Sequence, residues 1–171
     1  MITAVSIKKL LVAETTDVKA DLTKTTIEAL IKSGKEIKNV HQETWSFEEA
    51  EGTATPYKNE LTGGVYRVTR DKGDVTMNFT LGQYTLEDLK TFKGGTVLAG
   101  VYKRGAGVEQ IHKCLLAQTK DGIWIILPKA EIVARSAYGD GAVGQAVVGT
   151  ALEPDGKDVS TEYWYDPSVG A

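Results

Sequence analysis

The chain has one cysteine, Cys114, two histidines, His41 and His112, and four prolines among 171 residues. A single cysteine excludes an internal disulfide, and two histidines far apart in sequence argue against a zinc site. Charge of one sign is also missing. The 20 basic and 23 acidic residues leave a net charge of −3, so no global field draws the protein to nucleic acid or anionic lipid. The longest apolar run, residues 123–127, falls far short of the about 20 residues that a membrane-spanning helix needs. The opening Met1-Ile2-Thr3-Ala4-Val5-Ser6 lacks a basic segment followed by a long apolar run, so it does not read as a signal peptide. No repeat of fixed period, no low-complexity segment and no Gly-x-Ser-x-Gly elbow occurs. The expectation from these absences is one soluble, intracellular domain without membrane, metal or cofactor, and not an enzyme.

What is present is β-sequence. Asp74-Val75-Thr76-Met77-Asn78-Phe79-Thr80-Leu81 alternates polar and apolar, placing Val75, Met77, Phe79 and Leu81 on one face of a strand whose other face is wet. Gly64-Val65-Tyr66-Arg67-Val68-Thr69-Arg70 is rich in β-formers, and Asp71-Lys72-Gly73-Asp74 offers a glycine for a short hairpin loop, so residues 64–81 are expected to pair with each other. Further strands are expected over 2–12, 35–47, 96–102, 108–117, 123–133, 143–152 and 159–165. Ile37, Val40, Trp45 and Phe47 are the candidates for burial in the second of these. Lys120-Asp121-Gly122 predicts a hairpin, Pro128 predicts an edge or a bulge, and Pro154-Asp155-Gly156 is expected to join the last two strands. Two short helices are expected: 21–34, ending in Gly34, and 85–92, capped by Thr85, with Leu86, Leu89 and Phe92 on one face and Gly94-Gly95 as the stop. The fold class is therefore mainly β: an antiparallel β-sandwich or barrel over 1–171, flanked by one or two short helices.

Residues 48–63 are of a different kind, with few large apolar side chains, the acids Glu48, Glu49 and Glu51, and then Pro56, Tyr57 and Lys58. The stretch reads as a long exposed loop or hairpin arm, and loops above about 12 residues inside a compact domain are usually functional or disordered. The tail 166–171 reads as frayed.

The motifs that could carry chemistry have plainer readings. Gly139-Asp140-Gly141-Ala142-Val143-Gly144 spells a dinucleotide fingerprint, but the β-branched sequence after it cannot open the helix that would hold a pyrophosphate, which leaves a glycine loop between strands. Cys114 near His112 lacks the orienting partner of a thiol nucleophile and reads as a core residue. Glu48, Glu49 and Glu51 could hold a metal, yet with no histidine nearby they read as a solvated surface. Tyr163-Trp164-Tyr165 could stack on sugars or bases, but alternation places Tyr163 and Tyr165 on one face and Trp164 on the other, which favours core packing or an interface patch. Asn78-Phe79-Thr80 matches a glycosylation acceptor and reads as strand sequence.

This order of elements resembles the tail tube (major tail) proteins of long-tailed bacteriophages, related in fold to the tube proteins of pyocins and type VI secretion. The features that carry the resemblance are the long polar stretch 48–63 between strands, the pair 64–81, the helix 85–92 between strands, and the terminal stretch 144–156. The resemblance implies hexameric rings stacked into a hollow virion tube, assembled in the host cytoplasm, through which DNA passes without specific binding. It also implies partners such as a tape measure and a tail terminator. Inter-subunit contacts are expected from Glu48, Glu49, Glu51, Pro56, Tyr57 and Lys58, with Tyr57 as anchor, and from Tyr163, Trp164 and Tyr165. The opposing expectation is a monomeric β-sandwich binding module, carbohydrate-binding or adhesin-like, that uses the aromatic patch at Tyr163 to Tyr165.

Overall fold

The computed structural model describes residues 2–169. The elements run β1 (Ile7–Ala13), a 3-10 turn (Thr15–Asp17), α1 (Lys24–Ser33), β2 (Lys35–Glu36), β3 (Ser46–Glu49), β4 (Thr53–Lys58), β5 (Val65–Asp71) and β6 (Val75–Leu81). After these come α2 (Leu86–Lys93), β7 (Thr96–Leu98), β8 (Val101–Lys103), β9 (Ile111–Thr119), β10 (Trp124–Gly139), β11 (Ala142–Ala151) and β12 (Tyr163–Tyr165). The protein is mainly β with two short helices, as expected.

One antiparallel sheet runs β2-β1-β9-β10-β11-β6-β3, with β12 added to β10. It is curled, and residues 35–41 span its two sides. The Ile37 N–H donates to the Leu10 carbonyl at 2.9 Å, and the His41 N–H donates to the Thr80 carbonyl at 2.7 Å. Val40 also bridges Leu81. The 35–47 segment is thus not the single strand its sequence suggests but a strap with strand only at its ends, in β2 and β3, although Ile37, Val40, Trp45 and Phe47 do pack against the core.

Two apolar layers form on opposite faces of the sheet. Inside the curl, Leu10, Val12, Met77, Phe79, Leu115, Ile125 and Leu127 pack with Phe92 of α2. Outside, Leu11, Ala13, Cys114, Leu116, Trp124 and Ile126 pack under Ile27 and Leu30 of α1. Strands covered on both faces need apolar residues at every position, which is why 10–13, 114–117 and 124–127 are continuous runs. The face of β6 away from the core stays partly open, so its burial alternates strictly from Val75 to Leu81.

Pro128 sits at a register shift between Leu127 and Ala130 in the β9–β10 ladder, the bulge its missing N–H demands. β10 also changes neighbours there: Trp124 to Ile126 pair with β12, and Ala130 onward pairs with β11. The final strand therefore joins β10 and not, as the Pro154-Asp155-Gly156 turn suggests, the strand over 143–152.

α1 opens on a reciprocal capping box between Thr23 and Thr26. Gly34 follows it at φ −64°, an ordinary conformation, and it is small because a Cβ would lie 3.3 Å from Leu11 Cβ. α2 opens on Thr85, whose hydroxyl accepts from the Asp88 N–H at 3.2 Å, and it stops at Gly94 and Gly95 with φ of 75° and 87°. Phe92 is buried edge-on to Phe79, whereas Leu86, expected on the same face, is exposed. Residues 96–102, read as one strand, are two: Ala99 and Gly100, both at positive φ, make the two-residue turn that folds β7 onto β8.

Candidate functional site

The part of the molecule that contributes least to the core is β4 and β5. They pair only with each other, as a two-stranded sheet, and every residue of β4 is exposed. Their register continues that of β3 and β6. Glu49 faces Val75, and four residues further along Thr53 faces Asp71. β3–β4 and β5–β6 are therefore the two sides of one long ribbon, rooted in the barrel and protruding beyond it.

This corrects the expected pairing of 64–81 with itself. Gly73 does not make a positive-φ hairpin turn. It lies at the waist of the ribbon, where the Ala50 N–H donates to the Asp74 carbonyl at 2.8 Å. A Cβ on Gly73 would sit 1.8 Å from the Ala50 carbonyl oxygen, and one on Gly52 would sit 2.2 Å from the Asp71 carbonyl oxygen. Only glycine permits that approach from both sides.

The expectation of a loop or hairpin arm over 48–63 resolves as an arm formed by residues 53–71. Glu48 and Glu49 lie in β3, opposite Thr76 and Val75 at the root, and Glu49 reaches Lys72 at 3.7 Å. Glu51 is exposed at the waist. On the arm, Pro56 faces Val68, Tyr57 faces Arg67, and Lys58 faces Val65 after a bulge. The Arg67 guanidinium lies 6.0 Å from the centre of the Tyr57 ring, a cation–π contact that stiffens both side chains. Ala54, Pro56, Val68 and Arg70 share the opposite face. At the tip, Asn59 orders the turn by accepting from the Leu61 N–H at 2.9 Å.

Sequence reasoning missed β5 as part of this surface. Val65, Tyr66 and Val68 are exposed, as are Tyr57 and Leu61. The signal was available: residues 65–70 place apolar and charged side chains on both faces, unlike the strict alternation of 75–81. A second two-stranded hairpin, β7–β8, lies beside α2 and exposes Leu98 and Val101, and its reading as a single strand hid it.

Tyr163, Trp164 and Tyr165 alternate as expected, and the two faces do different work. The Tyr163 hydroxyl donates to Asp21 Oδ1 at 2.6 Å and accepts from the Ser160 N–H at 2.9 Å. The Tyr165 hydroxyl donates to Glu28 Oε1 at 3.0 Å, and it is held above its ordinary pKa by desolvation and by the Glu28 and Asp166 carboxylates. Both tyrosines thus clamp the α1 side. Trp164 turns to the other face, edge-on to Phe47 of β3 at 5.7 Å, with its indole N–H on Glu162 and its ring partly exposed. No three-ring platform forms, but β12 is brought beside the root of the arm.

The other candidates fall into place as structure. Asp140 and Gly141, at φ of 50° and 80°, make the two-residue β10–β11 turn, so the glycine motif joins two strands. Cys114 is fully buried, and burial pushes its thiol up to about 12. Among the described residues, no group of three or more His, Cys, Asp or Glu side chains is placed to hold a metal ion, and no helix is long and apolar enough to cross a membrane. Asp166 accepts from the Ser168 N–H and hydroxyl, making a local turn of the start of the tail; residues 170 and 171 lie outside the described residues. No protein-family model matches the chain, and no curated protein matches it.

Proposed function

We propose that this chain is a structural subunit of a phage or prophage tail tube, self-assembling into stacked, hexameric rings that enclose a DNA conduit. The observation that carries the reading is the in-register ribbon whose outer half leaves the barrel. A two-stranded ribbon has no core of its own and is marginal in water, and this one displays Tyr57, Leu61, Val65, Tyr66 and Val68 to solvent. Exposed apolar side chains gathered on one projecting element mark an interaction surface. Tyrosine and arginine, paired here as Tyr57 and Arg67, are among the residue types enriched at the energetic centres of such contacts.

The charge balance is consistent with a conduit. A lumen that passes DNA must not grip it, and a net charge of −3 gives phosphate no reason to stay. Ring formation calls for a heterologous contact, one face meeting a different face of the next copy, and a protruding arm with a separate receiving surface is such a pair. A tape measure, a tail terminator and a place in the virion tail come with the reading. The aromatic triplet supplies less to a monomeric binding module, because two of its three rings are engaged by α1 and its flank.

Negative-stain electron microscopy with light scattering on concentrated protein tests the proposal. The expected result is rings or hollow tubes. Monomers over a wide range of concentration and salt, together with saturable glycan binding, would replace it with the binding module.

A further inference from the structure

The arm and the β12 region carry opposite charge. Between residues 53 and 71, Lys58, Arg67 and Arg70 stand against Glu60 and Asp71, a balance of 3 − 2 = +1. Between 153 and 166, Glu153, Asp155, Asp158, Glu162 and Asp166 stand against Lys157, a balance of 1 − 5 = −4. Lys129 offsets Asp155 at 2.6 Å, but Glu162, which accepts from the Trp164 indole N–H, and Asp166 stand two residues to either side of the exposed Trp164 in the chain. The acidic surface thus has an apolar centre. The arm mirrors it: Pro56 and Val68 form an exposed apolar pair, with Arg70 on the same face.

We propose that the arm of one copy seats on the β12 face of a second copy of this chain, Val68 and Pro56 against Trp164, and Arg70 toward Glu162 and Asp166. This rests on the assembly reading above and names its receiving surface. Placement agrees with it. The arm's strands pair only with each other, so no strand of the same copy's sheet covers the Pro56–Val68 pair. The Phe47–Trp164 contact puts the receiving face beside that root. Arm meets root, each surface is used once per copy, and the contact repeats head to tail. Electrostatic complementarity of this kind sets partner choice and register.

Cross-linking between two variant chains tests the docking directly. Ala54, which faces Arg70 across the ribbon, is changed in one chain (Ala54→Cys), and Thr161, exposed beside Glu162, is changed in the other (Thr161→Cys). The mixture is treated with a short bismaleimide; native Cys114 is buried and does not compete. The expected result is a cross-linked heterodimer at least about tenfold above that from Val108→Cys mixed with Thr161→Cys. Adding Arg70→Glu to the Ala54→Cys chain should cut that yield about tenfold, and Glu162→Arg with Asp166→Arg in the partner chain should restore it. Near-ultraviolet circular dichroism checks that each variant is folded. A yield at the control level, or one indifferent to charge reversal, overturns the docking. Rings with control-level cross-linking would overturn this contact and leave the tube reading standing. Charge-dependent cross-linking without rings would uphold the contact and overturn the tube.

Discussion

Gly73 lies under Ala50 so closely that a Cβ would stand 1.8 Å from the Ala50 carbonyl oxygen. The obstacle is backbone inside a hydrogen-bonded ribbon, so it cannot move aside as a side-chain end would. Gly73→Ala is expected to lower stability by about 1–3 kcal/mol and to swing the arm off its register. Gly105→Ala is the control, since nothing lies within 4 Å of its Cβ position. Urea denaturation reads the first effect and electron microscopy the second; equal midpoints for the two variants would contradict the tight waist.

Removing the arm separates folding from assembly. Replacing residues 53–71 by a short turn deletes strands that contribute nothing buried to either apolar layer, so the urea midpoint should change little. The variant is expected to remain a folded monomer that forms no rings or tubes. Deleting Thr53 to Asn59 alone breaks the same ribbon and should have the same effect on assembly. Polymers of normal length from either variant would sink the assembly proposal.

Tyr163 ties β12 to the segment that leads into α1. Its hydroxyl bonds with Asp21, Leu22 and Ser160 are all lost in Tyr163→Phe, at an expected cost of about 1–2 kcal/mol. Tyr165→Phe loses the single bond to Glu28 and should cost less. Urea midpoints in the reverse order would show that β12 is held by packing rather than by these bonds.

Lys35 and Asp88 pin α2 to the start of the strap at 2.6 Å. Partial burial pushes the Asp88 carboxyl up, but hydrogen bonds from Lys35 and Thr85 outweigh it, and the net value lies below the ordinary 3.8. A carboxyl with a lowered folded pKa stabilises the fold above its unfolded pKa, and that contribution is lost as pH falls through the folded value. The stability gap between the wild type and Asp88→Asn should thus be constant near neutrality and close below about pH 4. A gap that widens on acidification would refute the pairing.

Cys114 should be inert in the native protein. Buried under α1 with its thiol pushed up to about 12, it presents no thiolate at pH 8. Iodoacetamide is expected to label it only in denaturant. Rapid native labelling would mean that α1 opens readily from the sheet.

The period-2 burial of β6, the apolar runs of β1, β9 and β10, the Thr85 cap of α2 and the bulge at Pro128 were all legible in the sequence, because each depends on residues close together in the chain. Pairing was not. Residues 65–71 leave the barrel for β4, β12 joins β10 rather than β11, and 35–41 becomes a strap. In each case an equally good local β-pattern was assigned by contacts far away in sequence. Turn residues were legible as turns, but not the reason for them: Gly73 reads as a hairpin glycine and serves a close crossing of two backbones. Likewise the alternation of Tyr163, Trp164 and Tyr165 followed from strand geometry alone, while the partners each ring meets, α1 on one face and Phe47 on the other, were decided only when the sheet curled and brought β12 against β3.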